Sequence, residues 1–328
     1  MMQIRIINPG LLSTVQDLGR RQYLSQAVPV SGAMDTVSAR IANIAVGNAG
    51  DEAFIEFTYA AATFTAATDI LIAYSGGGAV FKIDNNILLA NRPVFIPAGK
   101  TVRLVNDASG SRTYLAIAGG WNVPVVLGSR STCLVAALGG YQGRALQAGD
   151  VLDSLDQLSP ISQTIFDALK GEQINQPKWT IAPLPGTGSK SIRVVPGMEF
   201  TWFNAPSIVN FLSAPYQLNM RSNRRGYHLE GPLMQRYAAK ELLSTAVVPG
   251  TIQVTGNGGL VLLMADCQTT GGYPRIAQVA AVDMPLCGQL KPGDAINFKE
   301  ISRQEAEILY LEQEQYLHQL TWAVQSKF

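Results

Sequence analysis

"GTIQVTGNGGLVLLMA", residues 250–265, sets the reading of the fold. Its β-branched and apolar residues form two short runs on either side of a Gly/Asn turn, the signature of strands punctuated by tight reversals. The same style recurs in "MQIRIINPG" (2–10), "DILIAYSGGG" (69–78), "AVFKIDNNILL" (79–89), "PVFIPAGKTVRLV" (93–105), "TYLAIAGG" (113–120), "SIRVVPG" (191–197) and "DAINFKE" (294–300). Asp84, Asn85 and Asn86 suit a hairpin turn. The run "GLVLLMA" (259–265) is far too short to cross a bilayer.

One turn phrase returns four times, an apolar residue followed by Pro or Ala, then Gly, then a strand. Its copies are "IPAGKTVRL" (96–104), "LQAGDVL" (146–152), "VPGTIQV" (248–254) and "LKPGDAINF" (290–298). Each half also carries "GGY" (139–141 and 271–273) before its last copy. Two similar β domains in tandem explain this spacing, and so does shared turn chemistry alone.

Helices are few in this reading. "MDTVSARIANIAVGN" (34–48) has Asp35 at its start, Gly47 near its end and helical apolar spacing between them. "SPISQTIFDALKGEQINQPKW" (159–179) predicts a short helix and a polar linker, and "APLPGTGSK" (182–190) is the best domain boundary. Ser302 with Glu305 forms a capping box for a tail helix through about Gln325. The expected organisation is a first β-barrel over 1–155, a helix and linker over 156–190, a second β-barrel over 191–300 and a C-terminal helix over 301–328.

The chain has 328 residues, is 47% hydrophobic and only 15% charged, against a usual charged share of roughly 25%. Such a chain builds large cores and has apolar surface to hide against a partner protein. With 25 basic and 24 acidic residues, no global field favours nucleic acid or an anionic membrane. The start lacks the plan of a secretion signal, and three cysteines without CxxC spacing fit a reducing cytoplasm.

Two histidines, His228 and His318, leave no His-based metal cluster and little scope for a Ser–His–Asp triad. "SGGGAVFK" (75–82) lacks the Gly-Lys-Ser/Thr of a phosphate loop and runs into a strand, so it reads as a glycine-lined chain reversal. Cys267 lies among polar residues, yet reads better as a small apolar residue ending the strand "LVLLMADC".

Five polar clusters remain, all at strand ends or turns. They are Gln16, Asp17 and Arg20; Ser31-Gly32 with Asp35; Ser129, Arg130, Ser131 and Thr132; Ser222, Asn223, Arg224, Arg225 and Tyr227; and Asp266, Gln268, Thr269, Thr270, Gly271, Gly272 and Tyr273. Arginine beside hydroxyls is a receptor for carboxylate or phosphate, because the guanidinium donates in a planar fork. Aspartates beside them serve as general bases or hold the arginines in place. Each cluster also has an ordinary explanation: an Asp17–Arg20 pair, a helix cap at Asp35, hydroxyls closing turns. Five together in so uncharged a chain point to a shared polar cleft, with Asp17, Asp35 and Asp266 as candidate catalytic groups. Gln16, Arg20, Ser31, Arg130, Ser131, Thr132, Ser222, Arg224, Tyr227 and the 268–273 residues are the candidate substrate ligands, and no metal is expected. Arg21 is expected to be a surface charge.

"STVQDLGR", "VPVSGAMD", "ANIAVGN", "YLAIAGG", "LGSRST", "GG-x-x-GR-x-L-x-x-GD" and "D-x-QTTGGYP" resemble the biotin-dependent carboxyltransferase family, of the allophanate hydrolase subunit 2 or KipA type. That family includes the C-type subunit of bacterial 5-oxoprolinase, and the motifs run in family order over nearly the whole chain. The resemblance implies an all-β architecture of two cyclophilin-like barrels and a partner of the KipI type. It also implies a LamB/YcsF-type third protein, with which the assembled complex uses ATP to open 5-oxo-L-proline to L-glutamate. No covalent cofactor is expected. The alternatives it leaves are a carboxyltransferase component, moving carboxyl from carboxybiotin to urea or a related amide, and a regulatory KipI-binding protein. "SNRRGYHLEG" departs from the family pattern, with Asn223 where an aspartate is usual, and "VPGMEF" replaces a Gly-Pro-Gln-like phrase.

Overall fold

Pro9 and Gly10 make the first corner of the chain, and Gly10 takes a left-handed φ of 69° between two strands that enter different sheets. The computed structural model describes residues 1–107, 109–182, 190–238 and 240–327. Two units result: Met1–Gly19, Asp35–Leu184 and Gln315–Phe328 form the first, Arg20–Met34 and Pro185–Glu314 the second.

The strands of the first unit are β1 (Gln3–Asn8), β2 (Leu12–Gln16), β3 (Phe54–Thr58), β4 (Thr63–Ala66), β5 (Ile70–Gly76), β6 (Ala79–Ile83), β7 (Asn86–Ile87), β8 (Val94–Ile96), β9 (Thr101–Asn106), β10 (Arg112–Ile117) and β11 (Val151–Asp153). They pair as a six-stranded sheet, β11-β1-β4-β9-β6-β7, and a five-stranded sheet, β2-β3-β10-β5-β8. Among the described residues the strands of this unit are laid out as these two sheets. Strand β10 sits between β3 and β5, and all six of its residues are buried. On β5 and β10 packs helix α1 (Thr36–Ala45), whose buried face includes Val37, Ile41 and Ile44. Its N-cap is Asp35, as the sequence predicts. The hairpin at 84–85 also forms, with Ile83 opposite Asn86 and Asp84 at φ 53°.

The second unit holds β12 (Ser191–Pro196), β13 (Tyr216–Leu218), β14 (Gly226–Glu230), β15 (Thr245–Ala246), β16 (Thr251–Val254), β17 (Leu260–Leu263), β18 (Thr270–Gly271), β19 (Arg275–Val279) and β20 (Ala295–Glu300). Seven of them close a barrel, β12-β19-β16-β17-β14-β13-β20, sealed by the parallel pairing of β20 with β12. Alternation fills its interior: Ile192, Val194, Leu229, Ile252, Leu262, Ile276, Ile296 and Phe298 all belong to one apolar core. The opening stretch is the β16–β17 hairpin of this barrel, with Val254 opposite Leu260.

The four recurring turn phrases share one geometry. Gly99, Gly149, Gly250 and Gly293 have φ of 83°, 93°, 89° and 91°, the left-handed position that a type II turn reserves for glycine. Each feeds a strand, β9, β11, β16 and β20 in turn. The glycines of 76–78 have a different reason. A Cβ on Gly76 would lie 2.4 Å from the carbonyl oxygen of Arg112, so the reversal between β5 and β6 is pressed against β10.

The units depart from the expected boundaries at 20–34, at 156–182 and in the C-terminal helix, of which Gln315–Phe328 is counted with the first unit. Residues 20–34 go with the second unit, because Ser31 N–H donates to the Ala265 carbonyl (2.9 Å) and Met34 enters the barrel core. The 156–182 stretch goes with the first: its helix α2 (Pro160–Leu169) sets Phe166 edge-on against Phe95, and Phe95 N–H donates to the Asn175 carbonyl. Most of the expected boundary at 182–190 lies outside the described residues. Two helices are additional to the sequence reading, α3 (Ala205–Ser213), capped by Asn204, and α4 (Met284–Gln289). Helix α5 (Arg303–Gln325) ends the chain, and Ser302 Oγ accepts from Glu305 N–H as the capping box requires. No helix among the described residues is long and apolar enough to cross a membrane.

Candidate functional site

Strand β2 delivers Gln16 and Asp17 to the end of the five-stranded sheet, where the 129–132 turn meets them. Asp17 Oδ1 accepts from Gly19 N–H (2.7 Å), Ser129 Oγ (2.7 Å) and Ser131 Oγ (2.5 Å), while Oδ2 accepts from the main-chain N–H of Arg130 (2.6 Å). Ser131 Oγ in turn accepts from Asp17 N–H. Thr132 ties the same turn to β2, its hydroxyl donating to the Val15 carbonyl (2.8 Å), and Gln16 Nε2 donates to the Thr132 carbonyl (3.1 Å). Gln16 and Asp17 of the first cluster and the third cluster are thus one assembly in the first unit, while Arg20 goes with the second. Asp17 clamps the turn and so fixes the origin of the Arg130 side chain.

That side chain leads to a residue the sequence reading misses. Arg130 Nη1 lies 3.6 Å from Glu52 Oε2, and both side chains are about a quarter exposed (26% and 28%). Burial pushes the Glu52 carboxyl above its usual range; Arg130 opposes this, and Asp51 and Asp17 reinforce it. Gly120 of the "YLAIAGG" motif lies against the carboxyl, where a Cβ would come within 2.7 Å of Oε2. Three motifs therefore converge on Glu52, which itself stands in none of them.

In the second unit, Arg224 and Asp266 form a buried ion pair, with Nε to Oδ2 at 2.8 Å and Nη2 to Oδ1 at 3.2 Å. Arg224 Nη2 also donates to the Gly32 carbonyl (2.7 Å), joining the second, fourth and fifth clusters around the 264–267 turn. Arg20 is buried in the unit's 20–34 segment, its N–H donating to the Val30 carbonyl. Ser31 has the left-handed φ of 56°, and its buried hydroxyl has no hydrogen-bond partner. A non-glycine residue held in that conformation marks a locally over-determined loop.

The remaining candidates separate. Asp35 is the cap of α1, with Oδ1 accepting from Ser38 N–H (2.9 Å) and Oδ2 from Ser38 Oγ (2.6 Å). Tyr227 is corrected from ligand to core: it is 2% exposed and belongs to the apolar interior of the barrel. Ser222 Oγ accepts from His228 N–H on an exposed turn. Thr269 is buried beside Val247, while Thr270 and Gly271 pair with β15. Gly272 and Tyr273 line a cavity of about 270 Å³ with Arg236, Lys240 and Glu241. Burial pushes the Cys267 thiol up to about 12, so it stays protonated near neutral pH and is a poor nucleophile.

The pattern of the family described as "Carboxyltransferase domain, subdomain A and B" matches residues 26–300. The chain belongs to this carboxyltransferase-domain family. Among relatives, the C-type subunit of Escherichia coli 5-oxoprolinase is 36% identical over 99% of both chains. Urea amidolyase of Saccharomyces cerevisiae is 31% identical over 93% of this chain but only 17% of its own length. The crystal structure of the K. lactis urea amidolyase superposes with a TM-score of 0.86 at 30% identity, covering 97% of this chain and 20% of that one. The carboxyltransferase-domain fold thus occurs both as a chain of this length and as a fraction of much longer enzymes.

Proposed function

We propose that this family member is the C-type subunit of an ATP-dependent 5-oxoprolinase, acting with KipI-type and LamB/YcsF-type partners to open 5-oxo-L-proline to L-glutamate. What carries this reading is the end-to-end match to the C-type 5-oxoprolinase relative, since it covers 99% of both chains. The substrate is a lactam with a carboxylate, and the partly exposed Arg130 of the first unit offers it a guanidinium donor. In this reading Asp17 positions Arg130, and Asp266 positions Arg224. ATP is used by the assembled complex.

Reconstitution tests it. The chain is mixed with the two partner types, and glutamate and ADP are measured from 5-oxoproline. Glutamate formation is expected to need this chain; formation at full rate without it overturns the reading. The urea amidolyase similarity supports a second reading, carboxyl transfer from carboxybiotin to urea or a related amide. Carboxybiotin decarboxylation that depends on urea, in place of glutamate release, would establish it.

A further inference from the structure

Of seven arginine ion pairs among the described residues, five close. Arg144–Asp150, Arg224–Asp266, Arg275–Glu199 and Arg303–Glu307 all meet at 2.7–2.8 Å. Two pairs built on arginine stand open among the described residues, Arg112–Glu56 at 3.7 Å and Arg130–Glu52 at 3.6 Å. The first is sealed in the core, at 7% and 1% exposure. The second reaches solvent through the rest of its side chains, while one buried polar atom on each partner, Glu52 Oε2 and Arg130 Nε, has no hydrogen bond. Unsatisfied polar atoms are costly, and a carboxylate and a guanidinium this close ordinarily rotate into contact. Here the main chain of each is held in place. The Asp17 clamp fixes the Arg130 main chain, and Glu52 is anchored by Asn43 Nδ2 donating to its carbonyl (2.7 Å). Gly120 supplies the room beside the carboxyl.

An open pair of one donor group and one acceptor group is complementary to an amide, whose carbonyl accepts and whose N–H donates. We propose that Arg130 and Glu52 together read the amide of the substrate, the guanidinium donating to the carbonyl oxygen and the Glu52 carboxylate accepting the N–H. This rests on the reading of the substrate as a small amide, and it adds Glu52 as a specificity-determining residue. The charged groups facing Glu52 are Arg130, Asp51 and Asp17. Because an ionised carboxylate is the pure acceptor, amide binding weakens as pH falls through the Glu52 pKa, which lies above the ordinary 4.5.

The test uses the full-length chain labelled with ¹³C at glutamate Cδ, the Glu52 resonance being assigned by its loss in Glu52→Gln. The probes are 2-pyrrolidinone, urea, and N-methyl-2-pyrrolidinone, which keeps the carbonyl and lacks the N–H. The expected result is a saturable shift with 2-pyrrolidinone, none with the N-methyl compound, and weaker binding at acid pH. Read from the Arg130 amide signal, Glu52→Gln weakens 2-pyrrolidinone binding by about tenfold and removes its pH dependence. A saturable shift with urea alone supports the amide pair while counting against 5-oxoproline as substrate. If neither 2-pyrrolidinone nor urea moves the Glu52 resonance, the inference is overturned, whatever the reconstitution gives.

Discussion

Asp17, Asp35 and Asp266 each direct their carboxylate oxygens at donors of the chain itself: a turn, a helix end and a buried arginine. The same pairing appears at Glu199, which accepts from Arg275 at Nε (2.8 Å), Nη2 (2.7 Å) and the main-chain N–H (3.0 Å). The Arg275 hydrogen bonds hold its carboxyl below the usual range. A folded pKa below the unfolded one gives stability that is fully present above the unfolded value, roughly 4.3, and lost as pH falls through the folded value. Glu199→Gln is therefore expected to cost about 1–3 kcal/mol at pH 7, with the deficit shrinking on acidification below about pH 4. Urea midpoints of the two proteins at neutral and acid pH measure it; a pH-independent deficit would count against an ionic origin. At this scale Asp17 and Arg130 were legible, because glycine and hydroxyls crowd around them in the sequence. Glu52 was not, since "GDEAFIEF" (50–57) sets it beside Asp51 and Glu56 with no arginine or hydroxyl to signal a site. Only the folding of β2, the 119–120 turn and the 129–132 turn brings its neighbours together.

Among elements, α1 asks whether Asp35 is a cap or a catalyst. Asp35→Ala removes both acceptors of Ser38 and is expected to destabilise by about 1 kcal/mol. Asp35→Ser keeps a hydroxyl at the N-cap and is expected to restore the melting temperature close to that of the parent. Activity of the Ser variant in the reconstituted complex then separates the roles: retained activity assigns the cap alone, and lost activity at unchanged melting temperature assigns chemistry to the carboxylate. Caps and tight turns were legible because their signals are local, as at Asp35, Ser302 and Asp84. Helix α3 escaped although Asn204 and a proline in its first turn mark its start, because "SIVNFL" (207–212) is as apolar and β-branched as the strands around it. Strand order lies further out of reach. That β12 pairs in parallel with β20, about a hundred residues on, follows from barrel closure and from no feature of either strand.

For the whole molecule, a 15% charged composition predicts apolar surface seeking cover, and the second unit displays it. Met198, Tyr237 and Leu243 are 81%, 70% and 88% exposed, and Tyr273 is half exposed. Met198 borders a cavity of about 310 Å³ and Tyr273 one of about 270 Å³, both reached from the 241–248 stretch around β15. Single exposed hydrophobics are ordinary on protein surfaces, but Met198 and Tyr273 each line one of these hollows, and Leu243 stands in the stretch that borders both, a face suited to a partner. If the partners proposed above cover that face, the isolated chain binds a hydrophobic dye such as ANS, and adding the KipI-type partner reduces the fluorescence. Leu243→Lys tests the location, because it leaves the barrel core untouched while placing a charge in the face. It is expected to keep the melting temperature within about 1 °C of the parent, since an exposed substitution changes stability by under about 0.5 kcal/mol. It should also weaken partner binding by about tenfold or more, as read by calorimetry. Unchanged partner affinity in Leu243→Lys would place the contact elsewhere and leave these side chains as ordinary surface.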